Sequence, residues 1–331
     1  MKRRRFAKNL ALRNMGANTT QFCALIRTPQ RLDVLLAGVF AEHSRSQTGK
    51  WIAEGAVEVD GKLMQKSAYL VQAKQIISCK TPEHAPTNVL PNTELDCPVL
   101  FENASCIVVN KPLGMLTHPT ADPASFHTSV ASWLSARLDG KKDAPTLGAR
   151  PGIVHRLDKW TSGALLLAKS DAAMRWYAEA FEQRSTTKIY LALVCGRLPY
   201  PKGRIDSPIG RDQVRRIAMA VTSLGKNAIS EYTVLAEGKL GSETVSLVRV
   251  HIHTGRTHQI RVHFASIGHP LVGDEVYFTR ITHTLLRGQW LHAAHLEIPD
   301  MDTKKLLVVD APLPPVFTEI LREASIEVPT I

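Results

Sequence analysis

Residues 152–170 read GIVHRLDKWTSGALLLAKS, and this stretch limits what the chain can fold into more than any other. A strand-like apolar run breaks at a charged block, and a second apolar run follows from Gly163 to Ala168. Short apolar runs of this kind read as strands. The block between them, His155-Arg156-Leu157-Asp158-Lys159-Trp160-Thr161-Ser162, therefore sets one carboxylate, Asp158, among basic neighbours beside a core. Asp158 could simply cap a turn there while Arg156 and Lys159 stay solvated. A bare H-R-L-D decides nothing without its context.

At 331 residues the chain exceeds one average domain, so two domains of unequal size are expected. The longest apolar runs, such as Val34 to Phe40, fall far short of the roughly 20 residues that span a bilayer, and no membrane segment is expected. The five cysteines are odd in number, widely spaced and form no C-x-x-C. That argues against a disulfide framework or a cysteine zinc site and fits a reducing compartment, the cytoplasm. Net charge is +11, and Lys2, Arg3, Arg4, Arg5, Lys8, Arg13 and Arg27 crowd the first 30 residues with no acid among them. Clustered cations attract phosphates, so a polyanion partner is the direct reading. The alternatives are a tail without a partner or a mitochondrial or plastid transit segment.

The pattern changes at Arg31. Leu32, Leu35, Leu36 and Val39 recur at helical spacing, and Ser44 can cap a second helix carrying Trp51 and Ile52 and ending at Gly55. Val57 and Val59 alternate into Asp60-Gly61, a hairpin turn, with a strand near Tyr69 to Cys79. The division expected is a basic, flexible tail over 1–28, a small module over 29–80, a proline-stiffened linker over 81–95 and a larger domain over 96–325. In the last, Cys106–Asn110, Thr187–Cys195, Ala228–Ala236 and Thr244–His253 read as strands, and Thr128–Leu138, a segment from Ser170 and Thr257–Ile267 as helices. Such irregular interspersion predicts an α+β domain with a mixed sheet, not a regular βαβ series.

Two more blocks supply the context for Asp158. One is Asn110-Lys111-Pro112-Leu113-Gly114-Met115-Leu116-Thr117-His118-Pro119; the other is Thr254-Gly255-Arg256-Thr257-His258-Gln259-Ile260-Arg261-Val262-His263, continuing through Gly268-His269-Pro270-Leu271-Val272-Gly273-Asp274. Between them lie Lys188-Ile189-Tyr190 and Pro208-Ile209-Gly210-Arg211. In this order, over roughly residues 96–325, they resemble the RluA family of RNA pseudouridine synthases, in its RluD-like form. The preceding R-L-D, S-R-S and V-x-V-D-G-K resemble the small RNA-binding module first described in a ribosomal protein. Trp160 departs from the pattern, standing where the family more often has a polar residue.

The resemblance implies a largely antiparallel pseudouridine synthase sheet, a small N-terminal α/β RNA-binding domain, and a cofactor-free, metal-free monomer acting on RNA. Ribosomal RNA of the large subunit is the favoured substrate and transfer RNA the alternative. The chemistry breaks the glycosidic bond of uridine, turns the uracil and rejoins it through carbon five. Charge develops on a sugar carbon, as in glycoside hydrolysis, and a carboxylate can trap it. By resemblance Asp158 is the nucleophile, Arg261 its cationic partner on the helix side opposite Phe264, and Tyr190 the ring that stacks on uracil and passes a proton. Arg156 fills the space left by the flipped base, supported by His155, and Leu271 lines the base pocket; Lys188, two residues before Tyr190 and so on the same strand face, is expected as a phosphate or site contact. Flipping is needed because a stacked uridine is out of reach. Arg211, Arg215, Arg216 and Lys226 form a candidate track for the RNA backbone.

Other classes fit less well. His251 and His253 share a strand face near His258 and His263, as metal ligands could, but there is no H-E-x-x-H. No phosphate loop or strand-to-helix G-x-G-x-x-G implies a nucleotide cofactor. A catalytically silent RNA-binding assembly factor would have no physical need to keep Asp158, Tyr190 and Arg261 together.

Overall fold

The computed structural model of the chain describes residues 12–14, 19–26, 28–40, 45–80, 89–120, 122–141, 144–145, 152–215, 218–277 and 288–328. Most of the basic N-terminus, Ser44 and Arg216 lie outside these. The chain divides into two compact units, the first holding the described residues up to 80 and the second those from 89 onward.

The first unit contains β1 (Leu12–Asn14), β2 (Thr19–Cys23), β3 (Gln30–Arg31), α1 (Leu32–Val39), α2 (Arg45–Ala53), β4 (Val57–Val59), β5 (Lys62–Leu63), β6 (Leu70–Val71) and β7 (Ile76–Lys80). Its sheet runs β1-β2-β7-β4-β5, with β3 and β6 as a separate pair. Asp60 and Gly61 both take positive φ, the left-handed pair that a two-residue hairpin needs. Leu32, Leu35, Leu36 and Ile52 from the helices pack on Phe22, Val57, Val59, Ile77 and Cys79. Phe22 corrects the expected flexible tail: β2 pairs with β7 because its apolar side chain belongs to this core. Asp33 is buried yet satisfied, accepting from Arg31 and Arg45 at 3.0 and 2.9 Å.

The second unit contains β8 (Val99–Glu102), β9 (Cys106–Lys111), α3 (Val130–Leu138), β10 (Thr161–Ala168), α4 (Asp171–Glu182), β11 (Thr187–Cys195), β12 (Lys202–Asp206), β13 (Ile209–Arg211), β14 (Met219–Val221), β15 (Ile229–Leu240), β16 (Glu243–Ile252), α5 (Gln259–Ser266), β17 (Leu291–Pro299), β18 (Leu306–Asp310) and α6 (Pro315–Glu323). The large sheet runs β12-β15-β16-β11-β17-β10-β9-β8, with β18 also on β17. Among the described strand pairs of this sheet only the short β10–β17 contact is parallel, so the architecture is α+β with a mixed, largely antiparallel sheet.

Alternation along the central strands splits their side chains among three clusters. Leu165, Leu167, Tyr190, Ala192, Val248, Val250 and Leu291 pack with α3 and with Ile260 and Phe264 of α5. Leu191, Leu193, Leu247 and Trp290 pack under Phe317, Ile320 and Leu321 of α6, and Ala164 and Leu166 under Tyr177 of α4. Ser170 caps α4, accepting from Ala173 N at 3.2 Å, and Ser129 caps α3 in the same way. Val89 and Leu95, expected in the linker, pack against the first of these cores, so the connection ends earlier than its prolines suggest.

Gly163 explains how β10 and β17 come so close. Its φ is +109°, and a Cβ there would lie 2.2 Å from the Ala293 carbonyl oxygen. Gly163→Ala is therefore expected to lower the unfolding free energy by about 2–4 kcal/mol through backbone strain and overpacking. Urea titration of the purified variant checks this, and a loss below ~0.5 kcal/mol would show that the strands separate freely.

Candidate active site

Asp158 lies in the turn that leads into β10, and the first motif block holds that turn in place. The buried ammonium of Lys111 donates to three carbonyl oxygens: Pro112 at 2.9 Å, Met115 at 2.8 Å and Lys159 at 3.1 Å. Burial pushes its pKa down to about 7, against the opposing charges of Cys97 and Asp158. Thr117 Oγ1 donates to Leu157 O at 2.7 Å, and Leu157 N–H donates back to Thr117 Oγ1 at 3.2 Å. Gly114 N donates to Lys159 O, and Thr161 N to Asp158 O, both at 3.0 Å. Trp160, the odd residue of the block, packs against Gly114 and Gly288, where any Cβ would meet its ring within 3.1 and 2.2 Å. Small residues on both sides thus accommodate the large one.

Arg261 faces Asp158 from α5. Its Nη1 donates to Asp158 Oδ2 at 2.9 Å, while Nε and Nη2 donate to Asp274 at 2.7 and 2.8 Å. Asp274 is fully buried and accepts two further N–H groups, from Val276 and Tyr277. Burial alone would lower the pKa of Arg261, but the bonds and charge of Asp274, and then Asp158, raise it well above the ordinary value. The guanidinium also lies over the Tyr277 ring, 5.2 Å from its centroid. Tyr277 in turn shares a 2.8 Å hydrogen bond with His258 Nδ1, and His258 Nε2 stands 3.8 Å from Asp158 Oδ2. Burial lowers the pKa of His258, opposed by the charge of Asp158.

The start of α5 differs from the expected Thr257. His258 takes a left-handed φ of 57°, which delays the helix to Gln259. The buried Gln259 side chain accepts from Arg256 N at 3.0 Å and Thr254 Oγ1 at 2.7 Å, and donates to Ile229 O and Ser230 Oγ. Arg261 and Phe264 do not point to opposite sides of the helix. Three residues apart, they are only about 60° apart around it, and both are buried.

These groups open on one cleft with an empty volume of about 380 Å³, continuous with solvent. Arg156, Leu157, Asp158, Thr161, Tyr190, Ile252, Arg256, His258, Gln259, Ile260, Arg261 and Leu291 line it. Tyr190 comes from β11 and is 8% exposed. Burial, then the Asp158 charge, raises the pKa of its phenol, which stays protonated across the ordinary range. The structure thus brings together four of the expected residues: Asp158, Tyr190, Arg261 and the exposed Arg156.

Three others stand elsewhere. His155 Nε2 accepts the Leu166 N–H at 2.9 Å, and its ring packs 4.6 Å from that of Phe181, so it ties the turn to β10 and α4. Its pKa is pushed down to about 3 by burial and then by Lys188, which suits an acceptor. Lys188 lies over Phe181, not in the cleft, with its pKa lowered to about 8 by burial and Arg184. Leu271 is fully buried among Tyr190, Ile260, Phe264 and Leu291; Leu157, Ile252, Ile260 and Leu291 form the apolar lining instead. Arg211, Arg215 and Lys226 are exposed, and Arg215 pairs with Asp212 and donates to Val276 O at 3.1 Å.

No part in positioning Asp158 is legible in the sequence for Lys111, Thr117, His258, Asp274 or Tyr277. All five sit in or just after the motif blocks. Their contacts span the fold, so spacing alone cannot show them.

Residues 105–266 match the family described as RNA pseudouridylate synthase, and residues 30–77 match the S4 domain. An uncharacterised RNA pseudouridine synthase of Bacillus subtilis is 36% identical over 293 residues, covering 88% of this chain and 93% of its own. The ribosomal large subunit pseudouridine synthase D of Pseudomonas aeruginosa is 36% identical over 304 residues, covering 88% and 91%. Among solved structures, human RNA pseudouridylate synthase domain containing 1 superposes with a TM-score of 0.54 at 29% identity, over 68% of this chain and 86% of its own. The two matched regions define an RNA-modifying enzyme with an RNA-binding module. The chain belongs to the RNA pseudouridine synthase family, and it carries an S4 domain ahead of the catalytic region.

The Arg261 pairing is testable by contrast. Asp274→Asn removes one partner of a buried ion pair and is expected to cost about 3–5 kcal/mol of stability. Glu237→Gln breaks the exposed pair with Arg197 and should cost less than about 1 kcal/mol. Parallel denaturant titrations compare the two, and equal losses would contradict the buried pairing.

Proposed function

We propose that the enzyme isomerises uridines in ribosomal RNA of the large subunit, with Asp158 as the nucleophile. The observation that carries the mechanism is the meeting of Asp158, Tyr190 and Arg261 on one cleft from three separate elements. The ribosomal substrate is supported by relatives named for it, such as that of Pseudomonas aeruginosa, which this chain matches over 91% of their length. The S4 domain supports a structured RNA. The N-terminal module and the exposed Arg211, Arg215 and Lys226 would grip the backbone through phosphates, which carry affinity but no sequence information.

In this mechanism the target uridine leaves its stack and enters the cleft, and Arg156 at the rim fills the vacancy. The Asp158 carboxylate bonds to the sugar carbon as the bond to the uracil nitrogen breaks. Arg261 holds that carboxylate in place through the 2.9 Å hydrogen bond from Nη1 and sets a positive charge beside it. The freed uracil turns against the Tyr190 ring, and its carbon five then displaces Asp158 from the sugar. The proton from carbon five leaves through the Tyr190 hydroxyl and ends on the uracil nitrogen, so the reaction is an isomerisation with no net exchange. A phenol held protonated acts here as a relay, passing one proton on as it receives another.

Asp158→Asn is expected to abolish product while leaving RNA affinity within about 2-fold, since amide and carboxylate match in size but only the carboxylate can bond to the sugar. Pseudouridine above a no-enzyme control from this variant would remove Asp158 as nucleophile.

Tyr190→Phe keeps a ring that can stack and loses the hydroxyl. It should retain RNA binding and lower turnover by about 10²–10⁴-fold, the usual range for positioned proton transfer. Full turnover would leave Tyr190 a packing role only. For the substrate, pseudouridine mapping in cells with and without the gene should show sites lost from large-subunit ribosomal RNA. Losses confined to transfer RNA would overturn that assignment and leave the chemistry standing.

A further inference from the structure

A row of residues across five strands carries ionisable side chains on four of them, away from the cleft. In register, Glu231 on β15 opposes His251 on β16, His251 opposes Ile189 on β11, Ile189 opposes His295 on β17, and His295 opposes Asp310 on β18. At one end both ring nitrogens of His295 are taken, by Asp310 and by Glu297 at 3.2 Å. At the other end, His251 and His253 stand two residues apart, so their rings share a face, with centroids 4.3 Å apart. His253 Nε2 is buried and lies 3.2 Å from Glu231 Oε2, at an angle that makes no hydrogen bond. The carboxylate of Glu231 is thus the group that faces this buried nitrogen, and two imidazoles and a carboxylate packed this closely are a donor set an ion can bridge.

We propose that Glu231, His251 and His253 form a binding site for one divalent transition-metal ion of the zinc class. One ligand atom from each lies within 4.8 Å of the others, the single such group among the described residues. A tetrahedral ion bound at about 2.0–2.1 Å holds its donors roughly 3.3 Å apart, so binding must draw the three donors together. Two imidazoles and one carboxylate suit zinc, cobalt or nickel, whereas calcium and magnesium take oxygen ligands. Arg204 Nη1 holds Glu231 Oε1 at 3.1 Å, which leaves Oε2 for the ion and fixes the carboxylate plane, as outer partners of metal ligands do. With Glu231 and His253 about one-third to two-fifths exposed, the fourth position stays open to water.

The site is structural, not catalytic. None of its three residues lines the cleft, while Ile252, between the two histidines, does. The ion clips β15 to β16 just before Thr254, whose hydroxyl donates to Gln259 at the start of α5. It thus firms the strand end from which the helix carrying Arg261 departs.

The test uses untagged, full-length protein freed of metal with a chelator. Zinc titrated by calorimetry, and cobalt followed by its visible spectrum, should each bind at one ion per chain. His253→Asn and Glu231→Gln each remove a direct ligand and should weaken binding by at least the roughly 10–100-fold that loss of an outer partner costs, and zinc should raise the melting temperature of the parent but not of either variant. Glu231→Gln keeps the shape of the side chain and decides the matter if His253→Asn is poorly folded. Absence of stoichiometric binding, or binding unchanged in Glu231→Gln, would overturn the proposal and assign any bound ion to other histidines.

Discussion

The catalytic unit depends on how one guanidinium is shared. Arg261 gives two of its donors to Asp274 and one to Asp158. Removing such charges from water is costly, and the attraction repays that only when geometry is good and the remaining lone pairs are satisfied. Asp274 meets both conditions: it is bidentate to Arg261 and takes two backbone N–H groups as well. Asp158 has no comparable set. Its held oxygen takes a single guanidinium hydrogen bond, and the carboxylate opens on the cleft. The unequal division leaves one carboxylate as an anchor and the other with room to react.

That asymmetry needs a rigid frame on the Asp158 side, because a loose turn would follow Arg261 instead of presenting a carboxylate to a substrate. Lys111 supplies the frame without spending a counter-charge. Its three acceptors are carbonyls on both sides of the turn, so one ammonium joins 112, 115 and 159. Thr117 fixes the residue just before Asp158 with a reciprocal pair of bonds. Positioning of this kind is what makes a reacting group effective, since small misplacements are costly in rate.

Much of this was legible in the sequence, for identifiable reasons. The buried β10, the alternation of β11 and the amphipathic α4 follow local periodicity; the two strands' bounds fall within two residues of expectation, and α4 starts where Ser170 caps it. Asp158, Tyr190 and Arg261 were found through ordered motifs, not periodicity. What failed depended on contacts between distant segments. Leu271 looked like pocket lining because it follows a motif, yet its bridge to Val194 draws it into the core. His155 looked like a helper of Arg156, but its nitrogen is claimed by the Leu166 backbone. β2 was hidden in a basic segment because five residues with a single large apolar side chain, Phe22, carry almost no pattern.

The electrostatics of the cleft raise one further constraint. On the proposed mechanism the nucleophile is a carboxylate and the substrate, RNA, is a polyanion, so the approach of phosphates would be repelled by Asp158 and Asp274 alone. The two carboxylates exceed Arg261 by one charge. Arg156 and Arg256 line the same cleft, and Arg256 is oriented by a 3.1 Å bond from Nε to Asn227 O. These two cations reverse the local sign at the mouth while the carboxylates stay inside. A charge near a protein surface is screened within about 8–10 Å at ordinary salt, so bulk basicity elsewhere on the chain cannot substitute for them. The net +11 charge favours approach of RNA to the protein, but the cations that line the cleft with Asp158 must admit a phosphate-flanked nucleoside to it.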